Sequence, residues 1–569
     1  LRQLRRGEEV FWAVPNAETL IILCHGYTAD PSSLESIARL AHDLIPGSNI
    51  LIPDFRVKNP FCATNPEKLV QDLNKRIELA WTENGGYQRV ILVGHSFGAL
   101  VARKTYAQAS LDQVVWAGRV DRIVLLAAMN RGWEFSHHLA IPTFVAWKIG
   151  VLVARFQEYL GRQPLIFSVR RGGSFITGLQ LLWLRLEQEL ALRGETTAMT
   201  IQLLGSVDDV VAPDDNLDLV TGGNFIYLDV PHSSHASIVE TDDPIYGASR
   251  RDAFAEALTA NGRALHSRSV HPSDSMRPPP RYDVTDVVFV IHGIRDMGYW
   301  THKVARMIQR EGAVTSRLFA TVTASYGYFP LLPFLLPSRR RQKVLWLVDQ
   351  FVAAKAAYPK AEFSFVGHSH GTYLLAKALR DYPEVAFKHV VFAGSVVPCQ
   401  YPWVDQLRRG RVTNILNYVA TADWVVAFFP KVFQILRLQD LGAGGHDGFS
   451  CSDPALHQLT YLRGQHGAAL VEDNWEAIAR FVVHGTTEIG TGCEIEPRRN
   501  RLVETLGRVP YLVWAFLVTA VGFGGWTLLS LDVGSTSLMR LAYSYPWMPL
   551  QVLAFAIYLW VIKIILTRL

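Results

Sequence analysis

Cysteine is scarce. The chain has five in 569 residues, Cys24, Cys62, Cys399, Cys451 and Cys493. That odd, scattered set carries no metal-ligand spacing. It excludes a disulfide framework and fits a reducing compartment. Charge excess is also missing. The net charge is +5 and the basic residues are not gathered into one domain, which excludes a nucleic-acid-binding surface. No apolar signal core follows Arg2, Arg5 and Arg6, so no secretory signal is expected in these residues, and Leu1 fits a processed or trimmed start. Hydrophobic residues nevertheless reach 49%, and the mean hydropathy of +0.13 is high for a purely soluble protein. Much of that excess falls in residues 509–569. The chain is too long for one core, so two or three domains are expected.

The chain is organised around residues 90–100, VILVGHSFGAL. Its branched apolar residues predict a buried strand. Gly94, Ser96 and Gly98 then predict a tight corner, and a helix follows. A serine on such a corner presents its hydroxyl at a strand end, which is the setting G-x-S-x-G provides for a nucleophile. Residues 363–373, FSFVGHSHGTY, repeat the pattern with Ser369 at the corner. Chance alone predicts on the order of 0.2 such pentapeptides in a chain of this size.

The first half, to about residue 267, alternates strand-like and helix-like runs. Strands are predicted at 19–24, 49–53, 90–95, 122–127, 199–204 and 224–230, with helices at 33–44 and 66–81. This alternation predicts a mostly parallel sheet covered on both faces. The first strand ends at His25-Gly26-Tyr27, a candidate oxyanion loop. Residues 130–200 break the pattern and read as a cap, either a lid that meets an acyl chain or membrane, or ordinary packed helices. GSVDDVVAP at 205–213 supplies Asp208 as the candidate acid, with Asp209 as the alternative. PHSSHASIV at 231–239 supplies His235 as the candidate base, with His232 as the alternative. The order Ser96, Asp208, His235, each after a predicted strand, fits a triad.

These residues resemble the α/β-hydrolase superfamily, of the lipase and esterase type. The motifs that carry the likeness are the HG at His25, GHSFG at 94–98, the turn at 205–208, and His235. The resemblance implies an acyl-enzyme reaction without metal or other cofactor. Backbone N–H groups near Tyr27 and at Phe97 would hold the oxyanion. Such motifs specify the superfamily well and the substrate badly.

Polar residues and prolines at 268–282 predict a linker. The program then restarts over 283–490. A strand at 287–291 leads to His292-Gly293-Ile294, and strands are predicted at 320–326, 388–393 and 415–421. An apolar stretch at 328–336, flanked by Arg339, Arg340 and Arg341, reads as a lipid-facing patch or a buried loop. Asp423 takes the acid position after Ser369. Two histidines compete as base, His466 before the last helix and His446 in a glycine-rich loop, and His466 has the better position. By the same resemblance, backbone N–H groups near Ile294 and at His370 would supply the oxyanion donors of this second site.

Residues 509–531 carry no charge and are long enough to span a bilayer, and 547–565 form a second apolar run. Together they predict a two-helix transmembrane hairpin after a basic segment at 491–508. Arg498, Arg499, Arg501 and Arg508 before it, with Lys563 and Arg568 at its end, place both halves on the cytoplasmic side. The expected architecture is α/β: two tandem α/β-hydrolase domains, mostly parallel sheets flanked by helices, plus this hairpin. The expected activity is serine hydrolysis of lipid or acyl esters at a membrane. Thioester or peptide hydrolysis, and a non-catalytic scaffold with the same folds, are the alternatives. An oligomer is possible, and nucleic acid is not an expected partner.

Overall fold

The computed structural model describes residues 9–57, 64–132, 165–206, 224–269, 280–294, 299–323, 325–326, 329–491, 493–530, 554–560 and 562. The chain divides into two compact units, Leu1–Pro279 and Pro280–Leu569, and the division falls among the prolines of the sequence-predicted linker.

In the first unit the strands are β1 (Val10–Trp12), β2 (Thr19–Cys24), β3 (Asn49–Ile52), β4 (Arg89–His95), β5 (Val120–Leu126), β6 (Met199–Gly205) and β7 (Phe225–Val230). They form one sheet in the order β1-β3-β2-β4-β5-β6-β7. Pairing is parallel throughout except at the edge, where β1 runs antiparallel to β3. All six residues of β2 are buried, because both faces of the sheet are covered. On one face Ile21, Leu23, Ile91, Val93, Val124, Leu126, Ile201 and Leu203 join a core completed by helices Glu35–Leu44 and Gly247–Thr259. The period of two along each strand puts these residues on the same side.

The second unit repeats this plan with β8 (Asp286–Ile291), β9 (Phe319–Val322), β10 (Glu362–His368), β11 (Phe387–Ala393), β12 (Val412–Ala420) and β13 (Leu456–Leu462). Their order, β9-β8-β10-β11-β12-β13, matches β3-β2-β4-β5-β6-β7 strand for strand, and every pair is parallel. Helices Tyr299–Val314 and Trp475–His484 close one face around Val288, Val290, Val366, Val391 and Leu416.

Strand order reverses beside β4 in one sheet and beside β10 in the other. Connections leave in opposite directions there and open a crevice at the carboxyl ends of the strands. Ser96 and Ser369 follow those two strands.

Several elements differ from the sequence reading. The edge strand β1 is too short to show a period. Residues 320–326 form a strand only to Val322. The basic run at 339–341 opens a long helix, Pro337–Ala357, with Arg340 fully buried. Of the predicted cap, residues 133–164 lie outside the described residues. Its remainder includes helix Ser174–Leu192, which buries Phe175, Leu179, Trp183 and Leu186. Trp183 lies beneath the guanidinium of Arg103 on helix Phe97–Leu111, 4.4 Å from its ring centre, so this part of the cap is packed onto the helix that follows Ser96.

Helix Pro510–Ser530 is long and apolar, with mean hydropathy 1.2 over Pro510–Thr527 and 11% of that window buried. It is the candidate membrane span among the described residues. Most of the second predicted span lies outside those residues. Its described part, 554–560, packs on the first helix where Tyr558 Oη donates to the Val521 carbonyl at 2.7 Å.

Candidate active site

Ser96 and Ser369 have nearly the same backbone, φ 52 and ψ −118 against φ 51 and ψ −116. Positive φ is strained for a residue with a side chain and persists only where the surroundings enforce it. The enforcement is visible. The Ser96 N–H donates to the Leu126 carbonyl and the Ser369 N–H to the Ala393 carbonyl, each at 2.9 Å, so the next parallel strand pins each corner. Gly98 and Gly371 make the corners possible. A Cβ on Gly98 would lie 2.3 Å from the Cys24 carbonyl oxygen, and one on Gly371 would lie 2.6 Å from that of Ile291. The helix after each serine therefore crosses the neighbouring strand end at backbone contact distance.

In the first unit Nε2 of His235 lies 2.8 Å from Oγ of Ser96, and both residues are buried. The His235 loop is clamped. His95 Nε2–H donates to the His235 carbonyl at 2.8 Å. Arg250, almost fully buried, donates to the His232 carbonyl at 2.9 Å, to Ser233 Oγ at 3.2 Å and to the Glu240 carbonyl at 3.1 Å. His232, the alternative base, is exposed and stacks on Tyr246 with ring centres 4.7 Å apart. Asp208 and Asp209 lie outside the described residues.

The second unit pairs a carboxylate with an imidazole. Asp423 is fully buried, and its carboxylate oxygens lie 2.9 and 3.0 Å from Nδ1 of His466. The same carboxylate caps helix Trp424–Phe428 by accepting from the Val426 N–H at 3.0 Å. The His466 ring sits over Gly394, where a Cβ would come within 2.7 Å of it, and Gly394 follows the residue that pins Ser369. Among the described residues no hydrogen bond joins His466 to Ser369. His446 is fully buried, with Nε2 3.8 Å from Asp447 Oδ1. Burial pushes its pKa down to about 4, with Lys431 and Arg499 acting in the same direction.

The loops after β2 and β8 are tethered alike. His25 Nε2 accepts from the Phe55 N–H at 3.1 Å, so its Nδ1–H is the donor to the Gly26 carbonyl at 3.0 Å. His292 Nδ1 and Nε2 lie 2.8 Å from the Gly293 carbonyl and 2.7 Å from Ser325 Oγ. Tyr27 and Ile294 come next in these loops. The Tyr27 ring meets Phe97 edge-on at 6.3 Å. Phe97 and His370 open their helices, so neither N–H has an intrahelical acceptor. The His370 ring is enclosed by Tyr326, Phe329 and Phe334. Burial, with the charges of Arg340 and Lys343, holds its pKa well below the usual imidazole value.

Sequence reasoning missed the clamps. His95 was visible as a letter of GHSFG, but nothing in the motif shows that it holds the His235 loop. Arg250 gave no signal, since an arginine in a helix reads as solvated surface. Tyr326, whose Oη lies 2.8 Å from the Gly293 carbonyl and 3.2 Å from His370 Nδ1, fell in a run read as strand. Among the described residues no cluster of histidine, cysteine and carboxylate side chains could hold a metal ion.

No curated protein matches this chain. Among solved structures it is similar to a soluble variant of monoglyceride lipase from Saccharomyces cerevisiae, at 14% identity and TM-score 0.29, over 46% of this chain and 91% of that one. It is also similar to Est1E from Butyrivibrio proteoclasticus, bound to ferulic acid, at 12% identity and TM-score 0.28, over 46% and 95%. A membrane phospholipase A, described as a bacterial virulence factor, aligns at 18% identity and TM-score 0.26 over 44% and 83%. The profile of the alpha/beta hydrolase family matches residues 21–271, the segment that carries Ser96 and His235. That segment, residues 21–271, is similar to the alpha/beta hydrolase family.

Proposed function

We propose that the first unit is a serine hydrolase that cleaves carboxylic esters. The 2.8 Å contact between His235 Nε2 and Ser96 Oγ, made on a strained corner at a strand end, carries this reading. His235 takes the hydroxyl proton as Ser96 attacks the ester carbonyl. Backbone N–H groups of Phe97 and Tyr27 stabilise the tetrahedral oxyanion. His235 returns the proton to the leaving alcohol, then activates water to release the acid and free Ser96. Asp208, or Asp209 in its place, orients the imidazole.

The second unit is proposed as a tandem copy, with Ser369 as nucleophile, His466 as base, Asp423 as acid and N–H donors at Ile294 and His370. The matching strand order and the His466–Asp423 pair support this assignment. The open Ser369–His466 contact favours a second reading for this unit, a lipid- or partner-binding fold without turnover. Hydrogen bonds of this kind often close only with substrate.

The apolar helix Pro510–Ser530 supports a membrane anchor, completed by the second apolar run as a hairpin, with both units on the cytoplasmic side. A lipid or acyl ester is then the substrate class. A fluorophosphonate probe on the detergent-solubilised chain tests the chemistry. Labelling lost in Ser96→Ala supports the first site, and labelling lost in Ser369→Ala supports the second. A folded chain labelled at neither serine refutes hydrolysis. Protease digestion from the cytoplasmic face alone tests the orientation.

A further inference from the structure

The second unit carries an apolar surface that its fold leaves uncovered. Helices Trp424–Phe428 and Pro430–Ile435 form one short apolar rod with its continuation to residue 438. Trp424, Ile435, Leu436 and Leu438 are exposed, Leu438 to 65%. Leu336 adds to this surface at 48% exposure, since Gln439 ties the two stretches by donating to the Leu335 carbonyl at 3.2 Å. Exposed apolar side chains gathered this way mark an interaction surface.

What covers it follows from its neighbour. Trp514, near the start of helix Pro510–Ser530, donates its indole N–H to the Phe428 carbonyl at 2.8 Å and packs against Phe429 at 5.2 Å. At 1.5 Å per residue, this contact lies about 6 Å along that helix. The rod is therefore level with the first turns of the candidate span, where tryptophan and tyrosine side chains meet lipid headgroups. The rim has the matching charge. Arg339 and Arg437 are exposed and have no carboxylate partner among the described residues.

We propose that residues 424–438, with Leu336 and the rim of Arg339 and Arg437, seat the second unit on an anionic lipid surface beside the anchor helix. This rests on the membrane reading of Pro510–Ser530. A rod lying in the interface buries its apolar face at headgroup depth while its arginines meet lipid phosphate. The rod begins at the helix that Asp423 caps, so the membrane-facing element and the acid held against His466 share one rigid join.

The full chain in mixed phosphatidylcholine–phosphatidylglycerol vesicles, with a photoactivatable phospholipid bearing its diazirine near the glycerol, tests the proposal by peptide mapping. Adducts are expected on residues 424–438 as well as on 510–530. Arg339→Gln with Arg437→Gln is expected to cut the adducts on 424–438 at least about threefold and leave those on 510–530 unchanged. Adducts on 510–530 alone overturn the seat, keep the anchor, and assign the surface to a protein partner. Adducts on neither overturn the anchor and the seat with it.

Discussion

The Nε2 atom of His235 stands 2.8 Å from Oγ of Ser96, while the carbonyl of the same histidine is held by His95. The imidazole is fixed from the side of the serine and its backbone from the residue preceding that serine. His232, three residues earlier, has its ring on Tyr246 and its carbonyl on Arg250. The loop therefore offers one imidazole to Ser96.

His235→Gln is expected to lower kcat/KM of the first site by about 10³ to 10⁴, and His232→Gln by less than about threefold. p-Nitrophenyl ester hydrolysis in a Ser369→Ala background measures both. Equal losses in the two variants would contradict the assignment of the base.

Arg250 clamps this loop with three donors from a buried guanidinium. Arg250→Leu removes hydrogen bonds from a charged group and leaves two carbonyls and a hydroxyl without that partner. A loss of about 2 to 4 kcal/mol is expected. Thermal unfolding should show a lower midpoint for the first unit, with weaker probe labelling of Ser96. An unchanged midpoint would mean that the loop is held by other contacts.

Gly98→Ala places a methyl carbon 2.3 Å from the Cys24 carbonyl oxygen, in backbone that has no flexible end to move. The helix must shift or the strand end must open, at a cost of about 2 to 4 kcal/mol. Loss of soluble expression, or a large fall in melting temperature together with lost labelling of Ser96, is the expected outcome. Gly371→Ala should act the same way on Ser369.

Much of this was legible in the sequence for physical reasons. A strand buried on both faces is apolar through its middle, so 20–24 in β2, 90–93 in β4 and 123–126 in β5 stood out as continuous runs. Backbone contact at Gly98 and Gly371 leaves no alternative residue, so both corners were readable from five letters. The clamps were not readable, because His95 and Arg250 act through carbonyl oxygens that any residue could supply. The paired helices at 424–435 were also missed. Val426, Ala427 and Val432 serve the core, whereas Trp424 and Ile435 are exposed, and the proposed membrane seat puts the reason for those two outside the unit.

Acid sensitivity gives the last prediction. His446 is buried and its pKa is pushed from 6.5 down to about 4 by burial, with Lys431 and Arg499 adding to the fall. In the unfolded chain it takes up a proton near its ordinary value. Between pH 6.5 and about 4 the unfolded state thus binds more protons than the folded one. Stability rises with pH across that window. Its contribution is complete above pH 6.5 and is lost as the pH falls through about 4. Burial lowers His370 and His389 in the same direction, so they add to the slope. Denaturant unfolding of the full chain, followed through a probe in the second unit, should show its midpoint falling over this window. His446→Gln removes one titrating group and should flatten the fall, whatever it does to the midpoint at neutral pH. A slope unchanged in that variant would mean that His446 meets solvent before the unit unfolds.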